Sequence, residues 1–251
     1  MAALGVWYGR TVRRMGRWSH TLWFLLALLS MWIALDWPVG ALGAGYLASF
    51  HAISYVLLAL IAPPCLILSV PESVVRPALA RPYWGPVLRY AGRWWLGLSV
   101  FDGVVLLTHV PAVVDSLMVS QVGALVIDLS WVVGGVLLWW PVMAPAPEVA
   151  TLNRPMKLAY LFVSTLAPII PSAFLTFAPY PLYATYELAP RIFSRLTAQQ
   201  DQQVAGLIMK IIGDLPVWAG FGVIFFRWAR EGELHPPPSY PGVVTRATGN
   251  S

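Results

Sequence analysis

Six apolar runs, each about long enough to cross a bilayer, dominate this chain of 251 residues. Roughly 30 Å of hydrocarbon takes about 20 residues of helix. Runs at about 20–37, 47–70, 94–114, 122–144, 156–178 and 203–227 meet that requirement. Within lipid an open backbone has no water to bond with, so each run must satisfy its own amides as a helix. The predicted fold class is therefore all-α: a polytopic integral membrane bundle of about six transmembrane helices. The chain is 58% hydrophobic and only 11% charged, whereas a soluble domain carries about 25% charge. A soluble fold is excluded on that difference.

The basic residues give the orientation. Arg10, Arg13, Arg14 and Arg17 precede the first run, and Arg76, Arg81, Arg89 and Arg93 lie between the second and third. Arg154 and Lys157 lie at the junction of the fourth and fifth runs, and Arg227, Arg230 and Arg246 lie at and beyond the end of the sixth. These make 13 of the 16 Lys and Arg on one side, against Arg191 and Arg195 on the other, with Lys210 inside the sixth run. The positive-inside rule places the 13 in the cytoplasm, and with them both termini. The net charge of +5 is then a topology signal that meets anionic headgroups, and no nucleic-acid partner is expected. Trp18, Trp84, Trp94, Trp95 and Trp228 lie near run ends, as an interfacial aromatic belt requires.

The domain reading follows: a basic cytoplasmic segment at 1–19, a six-helix membrane domain at 20–230, and a Pro-containing cytoplasmic tail at 231–251 that is predicted to be disordered. The first apolar run is too long for the core of a cleaved signal peptide. The single Cys65 excludes an internal disulfide and reads as a small packing residue. There is no phosphate-binding glycine loop and no nucleophile elbow, so catalysis is not expected. Pro63 and Pro64 in the second run, and Pro168 and Pro171 in the fifth, remove backbone donors and should kink their helices.

Ionisable residues inside hydrocarbon are costly and are functional candidates by default. His51, His109, Asp102, Asp128, Lys210 and Asp214 fall inside the runs. Counted from the run ends at 1.5 Å per residue, His51, His109, Asp128 and Met209 share a layer about 6–9 Å below the outer surface. Imidazole and thioether at one depth suit copper, which makes these four the candidate metal site. The alternative is that each polar group bonds a neighbouring helix and holds nothing. Tyr55 lies one turn after His51 on the same face. Asp102 lies two turns before His109, where a carboxylate orients an imidazole through water. Lys210 and Asp214 form an i, i+4 pair whose expected role is mutual neutralisation, with Asp102 a candidate third member.

Motifs along the chain resemble the CtaG-type cytochrome c oxidase assembly proteins. Leu35-Asp36-Trp37-Pro38 is similar to the family's Leu-Asp-x-Pro. His51-Ala52-Ile53-Ser54-Tyr55 and then Ala62-Pro63-Pro64 resemble its His-Met-x-x-His and Ala-Pro-Pro. His109-Val110-Pro111, Trp139-Trp140-Pro141 and Asp201-Gln202-Gln203-Val204-Ala205-Gly206-Leu207-Ile208-Met209 resemble its His-x-Pro, Trp-Trp-Pro and Asp-Gln-Gln-x-Ala-Gly-Leu-Ile-Met. The chain also departs from that pattern. Tyr55 stands at the family's second histidine, Ala124 and Asp128 at a pair of histidines before Trp-Trp-Pro, and Lys210 at an aromatic position. An additional first span, often seen in the family, is not expected here, since the matched pattern begins near Trp7-Tyr8-Gly9-Arg10.

The resemblance implies a non-enzymatic factor of the bacterial inner membrane. It would help mature haem-copper oxidases at the copper-insertion step, with copper as its metal. Its partners would be oxidase subunits or other copper-assembly proteins, besides the lipid bilayer. The rival readings are a degenerate member acting as a structural subunit or scaffold, and a small ion or metal transporter. The absence of inverted repeats weighs against the transporter.

Overall fold

Proline and glycine divide this apolar chain into helices. The computed structural model describes residues 5, 6, 8, 9, 18–149 and 152–234. In chain order the elements are α1 (Trp18–Leu35), α2 (Val39–Gly45), α3 (Ala48–Ser69), α4 (Glu72–Leu79), α5 (Trp84–Ala91) and α6 (Trp94–Thr108). They continue as α7 (Pro111–Leu117), α8 (Gln121–Met143), α9 (Arg154–Phe177), α10 (Ala184–Glu187) and α11 (Ala198–Glu231). No strand occurs among the described residues. Arg10, Arg13, Arg14, Arg17 and Arg246, and the predicted tail from 235 onward, lie outside them. Residues 231–234, placed by the sequence in the tail, instead extend the last helix, where Glu231 pairs with Arg154.

Five helices, α1, α3, α8, α9 and α11, are long and apolar enough to span a membrane. A sixth span exists only if α6 and α7 count together, and those are bent by 75°. The sequence expectation of a continuous third run over 94–114 is therefore corrected. Pro111 begins α7 with no amide to donate, and Val110 before it is extended at φ −69°, ψ 127°. A residue preceding proline is pushed out of the helical region for steric reasons. His109 is thereby left at the corner.

α3 is the centre of the bundle: 67% of its window is buried, against 28% for α1. It packs against α1, α8 and α11, and α8 packs in turn on α6. Close approach is possible because Gly135 of α8 lies directly on the Ala59 carbonyl of α3, where a methyl group would collide with backbone. Small residues perform this function between membrane helices because lipid offers no hydrophobic gain for larger ones.

Two proline pairs lie beside irregular backbone. Upstream of Pro63 and Pro64, α3 widens into a π-helical turn over Val56–Ile61. A second π turn, Ile208–Ile212, interrupts α11. Gly213, just after it, lies 3.5 Å from Val56 and Leu60 once a Cβ is considered, so the two π turns are neighbours. In α9 the regular helix stops at Ser164 and restarts at Ile169 after Pro168.

Candidate functional site

The site begins with the N-terminus of α3, which has no side-chain cap of its own because Leu47 occupies that position. Asp201 of α11 supplies one. Its carboxylate accepts from Ala48 N at 2.6 Å and Ser49 N at 3.3 Å, and the Ser49 hydroxyl donates to it as well. A carboxylate is favoured there by the unsatisfied amides and by the positive end of the helix dipole. Asp201 is only 1% exposed, so the clamp is shielded from water. Gln202, the next residue, accepts from Leu182 N at 2.6 Å and donates to the Leu175 and Tyr180 carbonyls. One dipeptide thus fixes the helix that carries His51 and the loop that covers it.

Gly43 of α2 packs on the backbone of His51, where a Cβ would approach the His51 nitrogen to 2.9 Å. The imidazole of His51 therefore projects away from α2 toward α8. Its ring lies 4.9 Å from the ring of Trp131 and 6.0 Å from that of Tyr186. Its Nε2 is buried and has no hydrogen-bond partner among the described residues.

His109 comes from the corner between α6 and α7. Its ring lies 6.1 Å from Trp131, nearly parallel, and 5.4 Å from Tyr55, edge on. Its Nδ1 is 2.8 Å from the Val105 carbonyl. A carbonyl only accepts, so this bond assigns the proton to Nδ1 and leaves a lone pair on Nε2. A backbone carbonyl in this role is a common way of orienting a metal-binding imidazole. Trp131, which both histidine rings approach, is held by its own bond, Nε1 donating to Thr108 Oγ1 at 2.9 Å.

The covering loop supplies two tyrosines. Tyr183 donates to the His109 carbonyl at 3.0 Å, and Tyr186 to the Gly43 carbonyl at 2.8 Å. Burial, then Tyr183, Asp201, Asp128 and Asp115, hold the Tyr186 phenol protonated well above the usual tyrosine range. Asp115 of α7 fixes the loop by accepting from Ala184 N, Thr185 N and Thr185 Oγ1. Among described residues no group of three or more His, Cys, Asp or Glu side chains is placed to hold a metal. The donors brought together are the two histidines, on one indole.

The other sequence candidates are distributed around this centre. Asp128 is half-buried on α8, one turn before Trp131, and acts electrostatically on Tyr186. Met209 is 1% exposed in the second π turn. With Tyr55, Leu60 and Asp214 it lines a cavity of about 10 Å³, which is close to the smallest volume that admits one water. Tyr55 joins the two regions: its ring faces His109, and its buried hydroxyl has no protein partner among the described residues. Lys210 pairs with Asp214 at 2.7 Å and donates to the Thr165 carbonyl at 3.4 Å. Asp102 keeps a buried oxygen without a hydrogen-bond partner among the described residues. Cys65 is buried and free, as a packing residue should be.

Sequence reasoning missed Trp131, Thr108, Tyr183 and Tyr186. Trp131 was hidden among ordinary apolar residues of its run, although its three-residue spacing from Asp128 puts the two on one helical face. Tyr183 and Tyr186 lie in a connecting segment with no periodicity to mark them, although a large amphipathic ring buried there needs a partner for its hydroxyl.

A family model described as cytochrome c oxidase caa3 assembly factor matches residues 3–231. No curated protein and no solved structure matches significantly.

Proposed function

Because the chain belongs to the cytochrome c oxidase caa3 assembly factor family, we propose that this membrane protein serves oxidase maturation at the copper step, assisting delivery or insertion from the outer face. The observation that carries the reading is the pairing of His51 and His109 on Trp131, each with an Nε2 available to a ligand. Imidazole nitrogens are good copper ligands. In that role copper is cargo. His51 and His109 would hold it, Trp131 and Tyr186 would wall it from lipid, and Met209 or Asp128 would be reached through side-chain movement. Binding is expected to be weak and exchangeable, as a handover site requires, because only two strong donors lie against the same indole.

The 13 basic residues on one side support a topology with both termini in the cytoplasm of a bacterial inner membrane. The histidines, at the opposite end of the bundle, then face the periplasmic side, where oxidase subunits or other copper-assembly proteins would meet them. A reporter fused after Arg230 should read as cytoplasmic.

A scaffold role without metal is the second reading. It is favoured by the lack of any group of three or more potential His, Cys, Asp or Glu ligands among the described residues. One experiment separates the two. In a strain lacking this gene, the wild-type chain should restore copper-loaded oxidase, while His51→Ala and His109→Ala should restore oxidase protein without full copper occupancy. Full copper occupancy with both variants favours the scaffold.

A further inference from the structure

The opposite end of the bundle carries a second built feature. α4 and α5 form a hairpin between the second and third spans, with Val75 and Leu79 buried in the core of the bundle and Gly85 packed on the Leu79 carbonyl. Trp140 of α8 holds the hairpin in place, its Nε1 donating to the Leu88 carbonyl at 3.2 Å. Between α5, the start of α6 and the end of α8 lies an open groove of about 610 Å³.

The walls of this groove differ. Arg89 and Arg93 make one side cationic. The Arg93 guanidinium sits 5.0 Å over the ring of Tyr90, a contact that holds it at the groove. Among the described residues neither Arg89 nor Arg93 forms an ion pair, whereas nearby Arg76 is paired with Glu72 at 2.6 Å. The other side is apolar, from Leu96 and Leu137 on the spanning helices, with Val87 beside them. Tyr83, Trp84, Trp94 and Trp95 are exposed around the rim, the aromatic pattern of a headgroup region.

We propose that this groove binds an anionic phospholipid, with its phosphate between Arg89 and Arg93 and an acyl chain along Leu96 and Leu137. A free phosphate would use the cationic wall alone and leave the apolar wall without a function. Basic recesses between membrane helices recognise acidic lipid headgroups by this combination. The proposal is independent of whether the histidines carry copper.

The test is native mass spectrometry of the full-length detergent-solubilised protein, titrated with dioleoyl phosphatidylglycerol or dioleoyl phosphatidylcholine. The wild type should retain phosphatidylglycerol in clear preference. In the Arg89→Gln/Arg93→Gln double variant that retention should fall by roughly tenfold to thirtyfold. Arg76→Gln should keep it, and Arg89→Lys/Arg93→Lys should recover much of it, which separates lost charge from lost folding. Equal retention of the two lipids by the wild type, or unchanged phosphatidylglycerol retention in the Gln variant, overturns the proposal. So does complete displacement of the lipid by millimolar inorganic phosphate, which would assign a small-anion site.

Discussion

The carboxylate of Asp201 caps the helix that carries His51, accepting the Ala48 amide at 2.6 Å across 153 positions of sequence. This bond ties the last span to the central one. Hydrogen bonds to a charged group contribute about 1.5–3 kcal/mol, and the amides of Ala48 and Ser49 would otherwise be left buried. Asp201→Ala should therefore destabilise the bundle by about 1.5–3 kcal/mol, read as a lower unfolding midpoint in detergent. Asp201→Asn should recover part of the loss, since an amide oxygen still accepts. An unchanged midpoint in Asp201→Ala would remove the clamp from this account.

Gly135 sets the distance between α3 and α8, and so the seat of Trp131 one turn earlier. Gly135→Ala places a methyl group against the Ala59 carbonyl. Overpacking of this kind costs about 1–3 kcal/mol. The variant should unfold earlier and lose the tertiary circular dichroism of its buried tryptophans. Native stability in Gly135→Ala would mean that the helices are not held at this spacing.

Lys210 and Asp214 are 36% and 16% exposed on a helix long and apolar enough to span a membrane, where lipid does not screen a charge and an unpaired one is costly. Lys210→Met should strand Asp214 at a loss of about 2.5–3.5 kcal/mol. Lys210→Met/Asp214→Leu should regain most of it. If the double variant is stable yet fails to support oxidase maturation, the pair has a role beyond neutralisation. If Lys210→Met is silent in both assays, the ammonium contributes nothing through Asp214.

The spans were legible because a bilayer forces about 20 apolar residues into each. The Lys210–Asp214 pair was legible because i, i+4 neighbours share a helical face. Other features were not legible. The bend at His109 required knowing that Pro111 would start a new helix and not merely kink the old one. The two π turns leave no residue pattern, since they are a change of backbone register in otherwise ordinary apolar stretches. Asp201 was visible as part of a motif, but its work depends on a partner helix at long sequence separation. Trp131 is apolar by composition and acquires meaning only from the rings that settle on it.

Tyr55 stands where the family pattern has a histidine, and its ring faces His109 at 5.4 Å. Tyr55→His should add a softer ligand beside the pair and tighten Cu(I) binding. A competition titration with a chromophoric Cu(I) chelator reads this directly. Weaker or unchanged binding would show that position 55 does not reach the bound ion.

The most direct measurement is Cu(I) binding by the purified full-length protein under reducing conditions, with X-ray absorption of the bound metal. The account predicts one ion per chain with nitrogen donors at about 2.0 Å, and loss of that binding in both His51→Ala and His109→Ala while the fold persists. Absence of Cu(I) binding by the wild type, or binding that survives the loss of both imidazoles, would contradict it.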